Sequence, residues 1–167
     1  MKQPDIPDLL RRLHDATGFR ISIHDREMHE IAAYPENHLA FCRILHANES
    51  SARICIKSDA DAFRCADGKK GLHIYKCPFG LFEAVCPLYR YGAPVGYLMM
   101  GQVTESNADA ADAARHAGEF CPDRDALSEA ARSIPHVSHE MMRAYADIMS
   151  VFADYMTVSN LINVKTA

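Results

Sequence analysis

The sequence predicts an α+β fold with one five-stranded antiparallel sheet, flanking helices and a long C-terminal helix. Apolar and polar residues alternate over residues 19–25, which is typical of a half-buried strand. Two apolar runs at 81–89 and 95–103 are separated by a short turn with glycine and proline, which predicts a hairpin. From residue 138 to 164 apolar residues recur at alternating steps of four and three, which predicts one long helix.

The first half of the chain is predicted to contain three helices and two strands. Leu9, Leu10 and Leu13 lie at helical spacing ahead of Gly18, so the chain begins with a helix. A polar turn separates the first two strands, which pair as a hairpin ended by Pro35. The predicted elements are a helix at 5–16, strands at 19–25 and 30–34, a short helix at 38–46, and a helix from 51 to about 66, ended by Asp67 and Gly68.

The second half is predicted to contain three strands followed by three helices. The strands lie at 72–77, 81–89 and 95–103, and the helices at 107–117, 123–132 and 138 to about 164. Runs of adjacent strands with helices between them favour an α+β fold on one antiparallel sheet. This order of elements fits a PAS/GAF-like sensor domain.

The composition is that of an ordinary globular domain. The chain has 167 residues, of which 49% are hydrophobic and 24% charged, and a net charge of −4. Surfaces that bind phosphate backbones are normally basic, so we expect no direct nucleic-acid contact by this segment. No apolar run approaches the ~20 residues that cross a bilayer, and the N-terminus lacks a signal-peptide core. We therefore expect a cytoplasmic protein without a membrane partner.

The six cysteines leave a metal site open as an alternative. In a cytoplasmic chain of this size, we expect mostly reduced thiols. Cys55 and Cys65 would lie about 15 Å apart along one helix, so both cannot bind one zinc ion unless that helix breaks. Cys42, Cys55 and Cys77 remain compatible with zinc or an iron–sulfur cluster, helped by His46. The other interpretation is that each cysteine is a small buried apolar side chain.

The residues of the central part resemble a known family. The elements that carry the resemblance are Phe41-Cys42 followed by His46, Cys55-x-x-x-Asp59, Tyr75-x-Cys77-x-x-Gly80-Leu81, Pro87, Gly96, and Gly101-Gln102-Val103. With them the chain resembles the PocR sensory domain over about residues 5–160. The resemblance implies a PAS-like ligand-sensing module whose ligands are small metabolites such as short diols, glycerol or simple hydrocarbon derivatives.

The resemblance also implies how the chain is divided. Residues 1–137 are expected to form the sensory domain, and residues 138–167 a C-terminal signalling and dimerisation helix. In the family an AraC-type DNA-binding domain or a histidine-kinase module follows. No helix-turn-helix pair follows Val164, so the chain is either a stand-alone sensor or, as we expect, a sensory part whose C-terminal output domain is missing from this chain.

Two apolar stripes run along the predicted C-terminal helix. Met142, Met149 and Met156 form one line at intervals of seven. The other stripe contains Met141, Tyr145, Ile148, Phe152, Tyr155, Ser159 and Ile162. Because two stripes are wider than one partner needs, we expect one to pack on its own domain and the other to form a homodimer.

The strand faces predict an apolar cavity with a few polar groups, as small-ligand sites require. Strict alternation in the fifth strand groups Val95, Tyr97, Met99, Gly101 and Val103 on one face. For a diol, the carboxylate of Glu83 and the amide of Gln102 are suitable partners. The candidate ligand-binding residues are His46, Cys55, Asp59, Tyr75, Cys77, Glu83, Tyr97 and Gln102.

Each candidate also has an ordinary structural interpretation. Glu83 could face solvent on an edge strand, and Asp59 could be a cap or a structural partner. Tyr75 and Tyr97 could be core aromatic residues. The ligand hypothesis therefore depends mainly on whether the Glu83 side chain points into the protein.

The sequence contains no recognisable nucleophile motif and no glycine-rich phosphate loop, so we expect no enzymatic activity. The favoured function is a small-molecule-binding sensory domain of a bacterial transcriptional regulator or sensor kinase, without a cofactor. It would sense a small polar metabolite such as a short diol or glycerol. The alternative is a metal or redox sensor built on Cys42, Cys55 and Cys77. A third class is a dimerisation module with a vestigial pocket.

Overall fold

The structure, a computed structural model, describes residues 5–158 and contains helices and strands in the predicted order. The elements are α1 (Ile6–Thr17), β1 (Arg20–His24), β2 (Glu30–Tyr34), α2 (Ala40–His46), α3 (Glu49–Lys69), β3 (His73–Lys76), β4 (Phe82–Arg90), β5 (Ala93–Val103), α4 (Asn107–Ala117), α5 (Arg124–Ala131) and α6 (His139–Val158). The predicted α+β class, with a five-stranded antiparallel sheet, flanking helices and a C-terminal helix, is confirmed.

The five strands form one sheet in the order β2-β1-β5-β4-β3, and every neighbouring pair is antiparallel. Both predicted hairpins, β1–β2 and β4–β5, are present. The pairing of β1 with β5 joins them, with Ser22 opposite Met99. The first strand therefore lies beside the last one, at the middle of the sheet.

The two faces of the sheet are covered by different helices. On one face α1 and α6 pack in a cluster with Ile21, Ile23 and Leu98. On the other face lie α2 and α3, and α5 packs behind α2. The predicted cavity lies on this second face, between the sheet and α2–α3.

Two irregularities in β5 overturn its predicted strict alternation. The register against β4 shifts at both ends, and Val95 and Gln102 are the residues skipped. Each shift is a β-bulge, which turns the side chains beyond it to the opposite face. As a result Val95 and Val103 pack with the α1–α6 cluster, whereas Tyr97 and Met99 belong to the other face. The predicted placement of these two valines was wrong.

The ends of two helices differ from the predictions. Helix α3 continues through Asp67 and Gly68 to Lys69, and Lys70 ends it in the left-handed conformation. A glycine near an exposed helix end is tolerated at a cost of about 1 kcal/mol. Because α3 is unbroken, the exposed Cys65 stays apart from Cys55. The predicted continuation of α6 to Val164, with Ser159 and Ile162, lies outside the described residues.

Candidate ligand-binding site

A cavity lies between the sheet and α2–α3, and residues from both layers line it. Its volume is about 70 Å³, counted as the space that the centre of a water molecule can occupy. Since one water molecule needs about 10–15 Å³ by this measure, the cavity has room for a ligand of roughly five non-hydrogen atoms. Its apolar walls come from Phe41, Leu45, Phe79, Leu81, Met99 and Met100.

Strand β1 supplies polar groups to the cavity because its side chains alternate between the two faces. Ile21 and Ile23 are buried in the α1–α6 cluster, so Arg20, Ser22 and His24 point toward the cavity. Ser22 Oγ lies 3.0 Å from His24 Nε2. Burial lowers the pKa of His24, so the ring is neutral at neutral pH.

Arg20 is buried, but its charge is already paired. Its two terminal nitrogens each donate to one carboxylate oxygen of Glu30, at 2.9 Å in both bonds. It also donates to the carbonyl oxygens of Pro35, at 3.1 Å, and Glu36, at 2.9 Å. This bidentate pair places a neutral unit at the cavity wall.

Glu83 points into the cavity and is only 9% exposed. Its cross-strand neighbour is Gly101, where a Cβ would overlap Glu83 Oε2 and lie 2.6 Å from the carbonyl oxygen of Phe82. The backbone N–H of Gln102, the bulged residue, donates to the carboxylate. Burial, and then the charge of Asp59, raise the pKa of Glu83 well above its usual range.

Gln102 connects the sheet to the start of α2. Its Oε1 accepts the Leu39 N–H at 3.1 Å, and its Nε2 lies 2.7 Å from His38 Nδ1. Burial, and then the charges of Arg20 and His46, lower the pKa of His38 to about 4. His38 is therefore neutral at neutral pH, and its Nδ1 can accept from the amide. The Gln102 side chain is occupied by these two contacts.

Asp59 projects from α3 into the cavity. The Tyr75 hydroxyl donates to Asp59 Oδ1 at 2.9 Å. Burial raises the pKa of Asp59 to about 6, although the bond from Tyr75 lowers it. Tyr75 does not line the cavity, and it contacts Asp59 from outside the cavity wall. Burial, and then the charge of Glu83, raise the pKa of Tyr75, so its hydroxyl remains a donor.

Three thiols line the same cavity, namely Cys42, Cys55 and Cys77. Burial raises the pKa of Cys55 and of Cys77 to about 12 and that of Cys42 well above its usual range. Metals bind the thiolate form, which burial disfavours here. Across residues 5–158, no group of three or more His, Cys, Asp and Glu side chains is arranged to hold a metal ion. The three thiols line the cavity, and the metal site built on them stays an alternative prediction.

Tyr97 lies outside the cavity wall. Its ring stacks on Phe63 with the centroids 4.3 Å apart. Its hydroxyl donates to Asp67 at 2.8 Å and accepts from Arg26 at 2.5 Å. Tyr97 therefore pins the end of α3 to the β1–β2 turn.

The structure brings most of the predicted ligand-binding residues together. Those at the cavity wall are His46, Cys55, Asp59, Cys77, Glu83 and Gln102. Tyr75 contacts Asp59 from outside the cavity wall, and Tyr97 does not contact the cavity. The sequence predictions missed Arg20, Ser22, His24, Glu30 and His38. The alternation of polar side chains along β1 could have indicated three of these, but the pairing of Arg20 with Glu30 depends on the sheet.

The comparisons with known proteins place this geometry in a family. The family model described as the sensory domain found in PocR matches residues 1–161. This chain belongs to that family. The resemblance inferred from the motifs around Cys55, Cys77 and Gly101 is thereby confirmed. No curated protein and no solved structure matches the chain.

Membership of the PocR family gives the cavity its context. The family is one of sensory domains and not of catalysts, so a role in sensing a signal is supported. Within residues 5–158, none of the helices has the length and apolar character needed to cross a membrane. For a PocR sensory domain, a partly enclosed cavity with a few polar groups is the feature suited to receive a ligand.

Proposed function

We propose that this chain is the ligand-binding sensory part of a cytoplasmic bacterial transcriptional regulator or sensor kinase. The ligand is a small polar metabolite of the size of a short diol or glycerol. The observation that carries the proposal is the partly enclosed cavity of about 70 Å³, into which Glu83 and Asp59 point from opposite layers. It has apolar walls for carbon atoms and acceptors for hydroxyl groups.

The sheet offers a route from the cavity to the C-terminal helix. Glu83 and Ala84 are adjacent on β4 and point to opposite faces. Ala84 packs in the cluster that contains Met142 and Met149 of α6. A ligand that shifts β4 therefore changes the surface on which α6 packs, and so favours one of two packings. In this proposal residues 1–137 sense the ligand, and residues 138–167 pass the signal to a DNA-binding or kinase output domain.

The second apolar stripe of α6 supports a homodimer. Met141, Ile148 and Tyr155 are 43%, 53% and 54% exposed, whereas the neighbouring methionine line is buried. An exposed apolar stripe at intervals of seven residues is the pattern of a helix pair. A parallel dimer through this stripe would place the C-terminal ends of the two helices side by side, as a two-fold output domain requires.

Titration calorimetry and thermal shift with propylene glycol, trimethylene glycol, glycerol and short alcohols test the sensory function. We expect saturable one-to-one binding of at least one of these ligands. Cys55→Phe fills the cavity and should abolish binding, whereas Cys65→Phe, on the exposed face of the same helix, should leave it intact. Circular dichroism checks that both variants fold. Failure of every compound to bind folded protein would contradict the proposal, as would unchanged binding by Cys55→Phe.

A further inference from the structure

Most ionisable groups around the cavity are neutral or already paired. The guanidinium of Arg20 and the carboxylate of Glu30 form a bidentate pair at 2.9 Å and cancel each other. Burial lowers the pKa of His24, His38 and His46, so the three rings carry no charge at neutral pH. None of these groups supplies a free positive charge to the cavity.

The groups that remain are acids. Burial raises the pKa of the Cys42, Cys55 and Cys77 thiols, which stay protonated. Asp59 and Glu83 are the two carboxyl groups that face the cavity, and neither forms an ion pair with any residue of the described chain. Two carboxyl groups therefore share one small cavity in which the guanidinium of Arg20 is already paired with Glu30.

The Glu83 carboxyl is the more informative of the two. It is more than nine-tenths buried, and it accepts a hydrogen bond from one backbone N–H, that of Gln102. The absence of a side chain at Gly101 lets the carboxyl enter the cavity. A buried carboxylate without a partner is strongly unfavourable, so such a group is neutralised by a proton or by a bound cation.

We infer that the cavity binds a short amino alcohol, with the ammonium group against Glu83 and Asp59 and the hydroxyl group toward Ser22 and His24. This inference rests on the proposed function, because it uses the same cavity and names the class of ligand. An ammonium group has three N–H donors, which match two carboxylates that lack side-chain cations. An amino alcohol of about five non-hydrogen atoms fits the available space.

A divalent cation is a poorer occupant of the same space. Metal sites need at least three protein ligands in most cases, and residues 5–158 provide no such group. A guanidinium group is larger and planar, and it fills the cavity before a second polar group can be accommodated. An ammonium group is compact enough for the cavity and needs fewer ligand side chains than a metal ion.

Binding of an ammonium ion should be linked to release of a proton. In the free protein the Glu83 carboxyl holds its proton, since burial and Asp59 raise its pKa. The incoming ammonium stabilises the carboxylate, so the O–H bond breaks and the proton passes to solvent, where buffer accepts it. An aliphatic amine resembles lysine and stays protonated well above pH 8. The protonation state of the ligand therefore does not change between about pH 6 and pH 8.

The experiment compares isopropanolamine with propylene glycol, which differ only by an amino group in place of a hydroxyl group. Titration calorimetry in two buffers of different ionisation enthalpy measures affinity and proton release at about pH 6 and pH 8. We expect the amine to bind about ten-fold more tightly than the diol at the higher pH. We also expect proton release with the amine, and none with the diol.

Glu83→Gln retains the shape of the side chain and removes its charge. We expect this variant to lose the preference for the amine while its affinity for the diol is retained. Glu140→Gln, on the exposed start of α6, is the control and should behave as the wild type. If Glu83→Gln does not fold, Asp59→Asn tests the same carboxyl pair.

The outcomes separate the two proposals. Diol affinity equal to or above that of the amine, or an amine affinity unchanged in Glu83→Gln, overturns the amino alcohol and leaves the sensory function standing. Binding of neither compound, together with failure of the wider screen of alcohols, overturns both.

Discussion

At the scale of single residues, Glu83 and Gly101 form a matched pair. The carboxyl of Glu83 lies over the position that a side chain at residue 101 would occupy. The bulge at Gln102 then turns a backbone N–H toward the carboxyl. An ionisable side chain reaches the interior here because the neighbouring strand provides both space and a donor.

Gly101→Ala should lower the free energy of unfolding by about 1–3 kcal/mol. The new Cβ meets Glu83 Oε2 and the backbone oxygen of Phe82, and backbone cannot move aside as a flexible side chain does. Urea unfolding measures the change. Gly68→Ala is the control, since that glycine is exposed in α3 with nothing within 4 Å. It should be neutral or gain up to about 1 kcal/mol. Wild-type stability of Gly101→Ala would contradict the matched pair.

His38 should make the protein less stable in mild acid. Its pKa is lowered to about 4 by burial and by the charges of Arg20 and His46, whereas an unfolded histidine titrates near about 6.5. Between these values the unfolded chain binds more protons, so stability falls as the pH drops from about 6.5 toward 4. His38→Asn retains an acceptor for Gln102 and should flatten this fall in urea unfolding.

The other titrating groups are common to both proteins in this comparison. Burial raises the pKa of Asp59 to about 6, so its contribution to stability is lost as the pH rises through that range, opposite in sign to His38. The difference between wild type and His38→Asn therefore isolates the histidine. His139→Asn, exposed at the start of α6, should follow the wild type. Identical pH dependence of His38→Asn and wild type would refute the assignment.

At the scale of elements, α6 presents two different surfaces. The line Met142, Met149 and Met156 is buried against the sheet, and it was one of the two stripes visible in the sequence. Of the other stripe, Met141, Ile148 and Tyr155 are exposed, whereas Tyr145 and Phe152 are half-buried against the α1–α6 cluster. The expectation that one stripe would pack on its own domain is met by the methionine line, and the dimer through the other stripe remains a prediction.

Two adjacent methionines test how α6 is oriented. Met142 is 1% exposed and Met141 is 43% exposed. Met142→Ala should cost about 2–5 kcal/mol, because it leaves a cavity between helix and sheet. Met141→Ala should change stability by no more than about 0.5 kcal/mol when measured on dilute protein. Equal effects of the two substitutions would mean that α6 packs differently.

Ile148→Glu should convert the expected dimer to a monomer. A carboxylate in the centre of an apolar helix pair must be desolvated without a partner, which opposes association. Sedimentation velocity measures the mass, and thermal unfolding should show an intact fold. Arg143→Glu introduces the same side chain on an exposed position of the same helix outside the stripe and should leave the dimer in place. A wild-type protein that is monomeric at high concentration would contradict the dimer.

At the scale of the whole molecule, the sheet separates the face that carries the cavity from the face on which α6 packs. The cavity is closed by α2 and α3, and α6 packs on the opposite side. Strand β4 takes part in both, because successive residues point to opposite faces. In the proposed function, a ligand in the cavity would therefore influence α6 through β4 without touching it.

Hydrogen exchange should report this coupling. A ligand at about one hundred times its dissociation constant stabilises the native state by about 2.7 kcal/mol. We expect slower amide exchange in α2 and the first half of α3, which cover the cavity, and a change in α6. Helix α1 packs on the far face beside β1 and β2 and is the internal control. Mass spectrometry of exchanged peptides measures each element. Protection that spares α2 and α3 would place the ligand elsewhere.

The order of elements could be predicted from the sequence because it depends on local periodicity. The alternation in β1, the helical spacing of Leu9, Leu10 and Leu13, and the turn between β4 and β5 are each readable within a short window. Glu83 could also be identified, since a charge inside an apolar run needs a partner or a ligand. These features are encoded by residues close together in the chain.

The arrangement of the cavity was decided only by the tertiary structure. The bulges at Val95 and Gln102 depend on the register between β4 and β5, which a period of two cannot reveal. The pairing of Arg20 with Glu30 depends on β1 lying beside β2, and the position of Tyr97 depends on where α3 ends. The sequence by itself determined the order of the elements and marked Glu83 and Asp59 as candidates for contact with a ligand. Contacts between distant parts of the chain decided which of them share one cavity, because strand register and helix packing are long-range properties.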